Sequence, residues 1–278
     1  MKKITAAFDG LQYSESTREY AIELAKQTDT HLVGVFLDDW SYTSYKIYQL
    51  ITKEGVSENR VKKLEAQDSA ARNAAARNFE QACQQSGTAY TLHHDRNIAL
   101  QELKHESIYS DLIIIDSKET LTHYTEELPT RFIRDLLSEV QCPVMVVPQK
   151  YKPIEKIILL YDGGPSSVYA IKMLSYLLPQ LKDLTTEVIS VNEKSTSLHI
   201  PDNKLMKEFM KRHYPKAKYT VTKGWADEQI IKHLKQQQNA LVVLGAYRRG
   251  TVSRWFKESM ADLLMKEVKL PLFIAHNK

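Results

Sequence analysis

The heptapeptide FDGLQYS at Phe8–Ser14 returns as YDGGPSS at Tyr161–Ser167, 153 residues further on. No other feature constrains the fold as strongly, because a repeat of this period makes the chain two copies of one unit. Each copy of the motif follows a short apolar run of strand length, KITAAF or EKIILLY. Each leads into a segment with helical periodicity, STREYAIELAKQ or SVYAIKMLSYLL. The correspondence resumes near the end of each half. DLIIID and ALVVLG are apolar runs of strand length, and CPVMVVP and LPLFIAH are strands opened by proline, where a missing N–H costs least.

Between these landmarks both halves alternate strand and helix. The first half reads as a strand at HLVGVFL and a long alanine-rich helix from Ser57 that closes on Gly87. A strand at AYTLHH and a helix at ALQELKHES complete it. On the long helix, Val61, Leu64, Ala71, Ala75, Phe79 and Ala82 fall at helical spacing and predict a core-facing stripe. The second half offers TEVISV, a shorter helix around NKLMKEFMKRH, KYTVT and ADEQIIKHLKQQ. Near-continuous apolar strands separated by amphipathic helices predict α/β units with parallel sheets covered on both faces. The expected organisation is two tandem doubly wound domains, residues 1–148 and 153–278, joined by the linker VPQKYKPIEK.

Composition removes several function classes. The net charge is +4 over 278 residues, mild for a nucleic-acid binder, so no nucleic-acid partner is expected. No run approaches the ~20 apolar residues of a membrane span, and the apolar run before Asp9 is short for a signal peptide. The two cysteines, Cys83 and Cys142, suggest buried thiols in a reducing cytoplasm rather than a disulfide framework or zinc site.

In an open parallel sheet, ligands bind beyond the carboxyl ends of the strands where the connections diverge. In the second half this points to DGGPSS and GAYRRGTVSRWFKES, the latter at Gly245–Ser259. Glycines let backbone N–H groups approach a phosphate, and the next helix adds its positive end. Asp162 is a candidate acceptor for a ribose hydroxyl or an adenine amino group, or alternatively a turn carboxylate.

The repeated D-G-x-x-x-S and the proline-opened last strands resemble the universal stress protein family, in a tandem form covering nearly the whole chain. The resemblance implies an adenine nucleotide alpha hydrolase-like fold and a cytoplasmic binding and regulatory module of the stress response, not an enzyme. Members that bind ATP carry G-x-x-G, nine residues, then G-S or G-T after the fourth strand. Carried over residue by residue, Gly245 takes the first glycine and Ser259 the final hydroxyl. Arg248 stands for the second glycine and Glu258 for the one before Ser259. The implied site has Asp162 and Gly163 toward the adenosine. Gly245, Arg248, Arg249, Gly250 and Ser259 form the phosphate side. The expected ligand is ATP or AMP, with magnesium for a polyphosphate; AMP suffers less from the Glu258 carboxylate. In the first half the corresponding loop, DSKETLTHYTEELPTR, has Asp116 at the glycine position and no glycine at all. Glu119, Glu126 and Glu127 add negative charge there, so Asp9, Gly10 and Ser14 are expected to serve the turn and helix cap. The alternative reading is an interaction module with a decayed site and a partner surface around Trp40 and Tyr45.

The family also pairs its last strands, across a dimer or between tandem halves. By resemblance PVMVVP and PLFIA are the pairing strands, which would make the chain a pseudo-dimer. The adjacent His93, His94 and Asp95 point to opposite faces of a strand and are not expected to converge on a metal.

Overall fold

A computed structural model describes residues 1–38, 58–95, 98–122, 124–192, 199–246 and 259–276. The first half runs β1 (Lys3–Asp9), α1 (Glu15–Thr28), β2 (His31–Leu37), α2 (Glu58–Ser86), β3 (Tyr90–Asp95), α3 (Ala99–Ile108), β4 (Leu112–Asp116), α4 (Arg131–Glu139) and β5 (Val144–Val147). The second half runs β6 (Lys156–Leu160), α5 (Pro165–Leu177), a 3-10 turn, β7 (Thr185–Asn192), α6 (Asn203–His213), β8 (Lys218–Lys223), α7 (Ala226–Leu234), β9 (Ala240–Gly245), α8 (Met260–Glu267) and β10 (Leu272–Ala275).

The strands form one ten-stranded sheet in the order β3-β2-β1-β4-β5-β10-β9-β6-β7-β8. Within each half all pairs are parallel, and the order reverses between β1 and β4 and again between β6 and β9. These are the two switch points at which a doubly wound sheet opens a crevice. The period-2 alternation of the strands fills a core on each face. In β1, Ile4, Ala6 and Phe8 join the layer under α1 and α2, while Ala7 joins the opposite layer under α3 and α4. The second half repeats the division, with α5 and α6 on the first face and α7 and α8 on the second.

The halves meet through their last strands. β5 and β10 pair antiparallel, with Met145 opposite Phe273, so each covers the edge the other would expose. This is the expected pseudo-dimer, closed within one chain. Arg134 Nε lies 3.6 Å from Asp262 Oδ2, linking α4 to α8 across the junction. The linker is pinned to α1: the Tyr20 hydroxyl accepts from Lys152 N at 3.2 Å, and the Ser16 hydroxyl donates to the Pro148 carbonyl at 2.6 Å.

The stripe expected on α2 holds only in its second half. Ala75, Ala76, Phe79 and Cys83 are buried, but Ala71 is exposed and Val61 and Leu64 are only partly covered. The reason is length: 29 residues of helix span about 43 Å, against about 23 Å for a seven-residue strand. The first turns of α2 therefore run past the end of the sheet. Gly87, at φ +70°, closes the helix as the sequence predicts.

A second repeat, absent from the motif comparison, lies at the amino ends of the strands. Lys3 and Lys156 each open the first strand of their half. Lys3 Nζ is 2.8 Å from Glu106 Oε2 and His93 Nδ1 is 2.5 Å from Glu106 Oε1. Lys156 Nζ is 2.7 Å from Glu187 Oε2, with His233 Nε2 at 3.3 Å. The carboxylate comes from a helix in one half and a strand in the other, so no alignment of the repeats reveals the shared cluster. Burial pushes both carboxyl groups up, but hydrogen bonds from the lysines, from His93 in one half and from Thr220 in the other, hold them below the usual range.

Candidate functional site

The two switch points are built differently from their first turn onward. In the second half α5 begins at Pro165, directly after the N-cap Gly164. In the first half α1 begins at Glu15, which lies three positions later in the repeat. The tighter turn has two requirements. Gly163 takes φ +78°, a conformation that favours glycine. Gly245, at the end of β9, lies against the first turn of α5. A Cβ there would sit 2.3 Å from the Ser166 carbonyl carbon, 2.4 Å from its oxygen and 2.6 Å from Ser167 N. Gly245 is thus a packing requirement of the fold, whatever else it does. A bulky residue at 245 would break this approach, so a substitution there disturbs the fold along with any ligand.

Asp162 holds the same turn together. Its Oδ1 accepts from Gly164 N at 2.8 Å and from the Ser167 hydroxyl at 2.7 Å. The turn-carboxylate alternative therefore describes one of its oxygens; among the described residues no hydrogen bond ends on the other. Ser259 occupies the N-cap of α8, yet its side chain makes no capping bond, unlike Ser14 and Thr130 in the first half. Because β10 returns parallel to β9, this end of α8 lies on the carboxyl side of the sheet. Arg248, Arg249 and Gly250, together with Glu258, lie outside the described residues, as do Trp40 and Tyr45.

The first half has filled its own crevice. Asp9 Oδ1 accepts from Leu11 N at 2.7 Å, and Ser14 caps α1 through Thr17 N at 3.2 Å, both as expected. The Ser14 hydroxyl also donates to Asp116 Oδ2 at 2.7 Å, tying the loop after β1 to the loop after β4. Glu119 lies beneath. Its Oε1 accepts from Thr120 N at 3.0 Å and Leu121 N at 3.1 Å, so a protein carboxylate takes the backbone donors there. Burial, with Asp9 and Asp116 close by, pushes the Glu119 carboxyl up to about 8. Glu126 does something else: its Oε2 accepts from Arg131 N at the start of α4. From above, Arg72 of α2 lies over the loop, with its Cγ 2.8 Å from where a Cβ on Gly10 would stand. Its guanidinium reaches Asp38 Oδ1 at 3.1 Å. What remains open is a cleft of about 530 Å³ lined by Ser14, Glu15, Asp116 and Glu119, with Lys118 as its one cation among the described residues. The described lining is poorly suited to a nucleotide phosphate.

The adjacent histidines of β3 point to opposite faces, as the alternation of a strand requires. His93 faces Glu106, while His94 stacks on Phe36 with centroids 5.4 Å apart. Among the described residues no group of three or more His, Cys, Asp or Glu is arranged to hold a metal, and no helix is long and apolar enough to cross a membrane. Cys83 is buried and Cys142 partly so, and burial pushes both thiols up to about 12.

With this geometry in view, solved structures supply the comparison. A universal stress protein from Archaeoglobus fulgidus aligns over 99% of this chain and 98% of its own, with TM-score 0.70 and 13% identity. A functionally unknown protein from Pseudomonas aeruginosa PAO1 aligns with TM-score 0.61 and 14% identity, over 99% and 92% of the two chains. The fold is that of the universal stress proteins. A protein of P. aeruginosa UCBPP-PA14, provisionally named as a universal stress protein, aligns over the same shares with TM-score 0.58 and 14% identity. No family model and no curated relative matches the sequence. The likeness therefore rests on architecture, and the crevice residues have to be judged on their own chemistry.

Proposed function

We propose that this chain is a universal stress-type regulatory protein that binds one adenine nucleotide in its second half and performs no catalysis. The observation that carries the reading is the asymmetry between two crevices of common architecture. The first is closed by Ser14–Asp116, by the buried Glu119 and by Arg72. The second keeps the features an anion needs: a left-handed Gly163, the amino end of α5, and a Ser259 hydroxyl that caps nothing. Asp162 and Gly163 would face the adenosine, while Gly245, Arg248, Arg249, Gly250 and Ser259 would border the phosphates. Arginine side chains in place of a glycine would supply charge-assisted bonds to one or two phosphates. With Glu258 nearby, AMP or magnesium-bound ATP is the fitting ligand.

Calorimetric titration with AMP and with ATP plus magnesium tests this. The expected stoichiometry is one nucleotide per chain. Ser259→Asp, at a half-buried N-cap whose side chain makes no capping bond, is expected to weaken binding by roughly a hundredfold through charge repulsion. Lys118→Ala in the first-half cleft is expected to change nothing. Two nucleotides per chain, or full affinity in Ser259→Asp, would contradict the assignment.

A second reading has a specific observation behind it. Gly245 is explained by packing on Ser166 and Asp162 by the turn it stabilises, with no ligand needed for either. An interaction module with a decayed site is then the outcome if neither nucleotide binds.

A further inference from the structure

The chain-wide net charge hides a division between the halves. Residues 1–148 hold 16 Lys and Arg against 22 Asp and Glu, whereas residues 149–278 hold 22 against 12. Much of the excess gathers around α6. From 203 to 223 there are seven basic residues and one acidic, Glu208. All seven basic side chains are exposed, and none makes an ion pair among the described residues. Lys204, Lys207 and Lys211 follow an i, i+3, i+7 spacing, so they form one stripe along the outer face of the helix. Arg212 adds a charge in the last turn and Lys216 another beyond it.

Flat rings border the stripe. His213 lies with its centroid 4.1 Å from that of Phe209 and 5.4 Å from that of Tyr176, which is 59% exposed. Lys172 and Lys182 stand close enough that, after burial, their charges depress the His213 pKa. The apolar side of α6 is spent: Met206 and Met210 are buried in the core beneath it. Leu205 is the one large apolar side chain the helix leaves exposed, too little for a face that inserts into a lipid surface. What it offers outward is a row of cations beside stackable rings, the chemistry that recognises unpaired bases on a phosphate chain.

We propose that the outer face of α6, with Tyr176 beside it, is a binding surface for single-stranded nucleic acid. The lysines track phosphates without reading sequence, and the ring cluster takes a base. This surface is separate from the crevice between β6 and β9, so a free nucleotide in that crevice leaves it unaffected.

The test is fluorescence polarisation of a labelled 20-nucleotide single-stranded RNA at 50 and 200 mM KCl. The wild-type chain is expected to bind, with affinity falling steeply between the two salts. Lys204→Glu, Lys207→Glu and Lys211→Glu combined should weaken binding by roughly tenfold or more and lower the log–log salt slope by about 2. All three side chains are exposed, so the melting temperature of the triple variant should match the wild type. Tyr176→Ala should weaken binding severalfold with the salt slope unchanged, and saturating AMP should not displace the RNA. No binding at 50 mM KCl would overturn the proposal. So would equal affinity of the triple variant, competition by AMP, or binding to phosphatidylserine vesicles but not to RNA.

Discussion

Gly245→Ala is expected to destabilise the chain by about 3 kcal/mol, the upper end of what overpacking usually costs. The methyl group would have to enter space bounded by backbone, the Ser166 carbonyl and the Ser167 amide, rather than by a side chain that can rotate away. Relief requires α5 to lift from β9, and α5 carries Ala170, Ile171 and Leu174 into the core. In urea denaturation the midpoint should fall while the slope stays constant, because the surface exposed on unfolding is unchanged. A loss below about 0.5 kcal/mol, the range of ordinary surface changes, would mean that the early start of α5 does not depend on this glycine. The same geometry decides how the nucleotide site can be probed: substitutions at 245 mix folding with binding, whereas Ser259, whose side chain makes no capping bond, separates them.

The second large effect is a pH dependence of unusual sign. Most native carboxylates stabilise a fold as they ionise, and Glu106 and Glu187 belong to that kind: their folded pKa values are lowered, so their contribution is lost as acid protonates them. Glu119 runs the other way. Its folded pKa is raised to about 8, so the folded state holds a proton that the unfolded state has released. Its stabilisation is complete below the unfolded pKa, near 4.3, and is lost progressively as pH rises toward about 8. Glu119→Gln keeps an acceptor for Thr120 N and Leu121 N but removes the charge beside Asp9 and Asp116. The variant should be more stable than wild type by several kcal/mol at pH 8.5, about 1.4 kcal/mol for each unit by which the carboxyl is raised. The difference should shrink toward pH 5, where Glu106 and Glu187 are still ionised. A wild-type stability that is flat from pH 5 to 9, or a Gln variant less stable at pH 8.5, would mean that Glu119 is ionised and accommodated in the native state.

Much of the architecture is legible in the sequence because it rests on local periodicity. The repeated Asp-Gly turn, the apolar strands and the proline-opened last strands carry the two-unit plan, and β5 pairs with β10 as the family resemblance implies. The turn role of Asp9 and the cap at Ser14 are equally local, being satisfied two and three residues away. What escapes the sequence depends on contacts between distant segments. Glu119 reads as one more charge in an acidic loop, and nothing in TEEL or SKET distinguishes the buried carboxyl from the half-buried Glu126 or the exposed Glu127. Arg72 sits on a helix whose pattern says only that one face is polar, yet it covers Gly10, sixty-two residues earlier. The shared Lys–Glu–His clusters are invisible to alignment because carboxylate and imidazole exchange between strand and helix. The sequence marks Gly245 for its freedom to approach a phosphate; the structure adds that it must also approach Ser166.

The central claim, one nucleotide held in the second half of an asymmetric pair, is tested most directly by what the purified protein carries. Freshly purified protein would be denatured and the released small molecules identified and counted by mass spectrometry. The account predicts AMP or ATP at up to one equivalent per chain from the wild type, and a marked loss from Ser259→Asp. A protein that carries no adenine nucleotide and fails to take up added AMP or magnesium-bound ATP would contradict it, and would leave the second crevice as closed to nucleotides as the first.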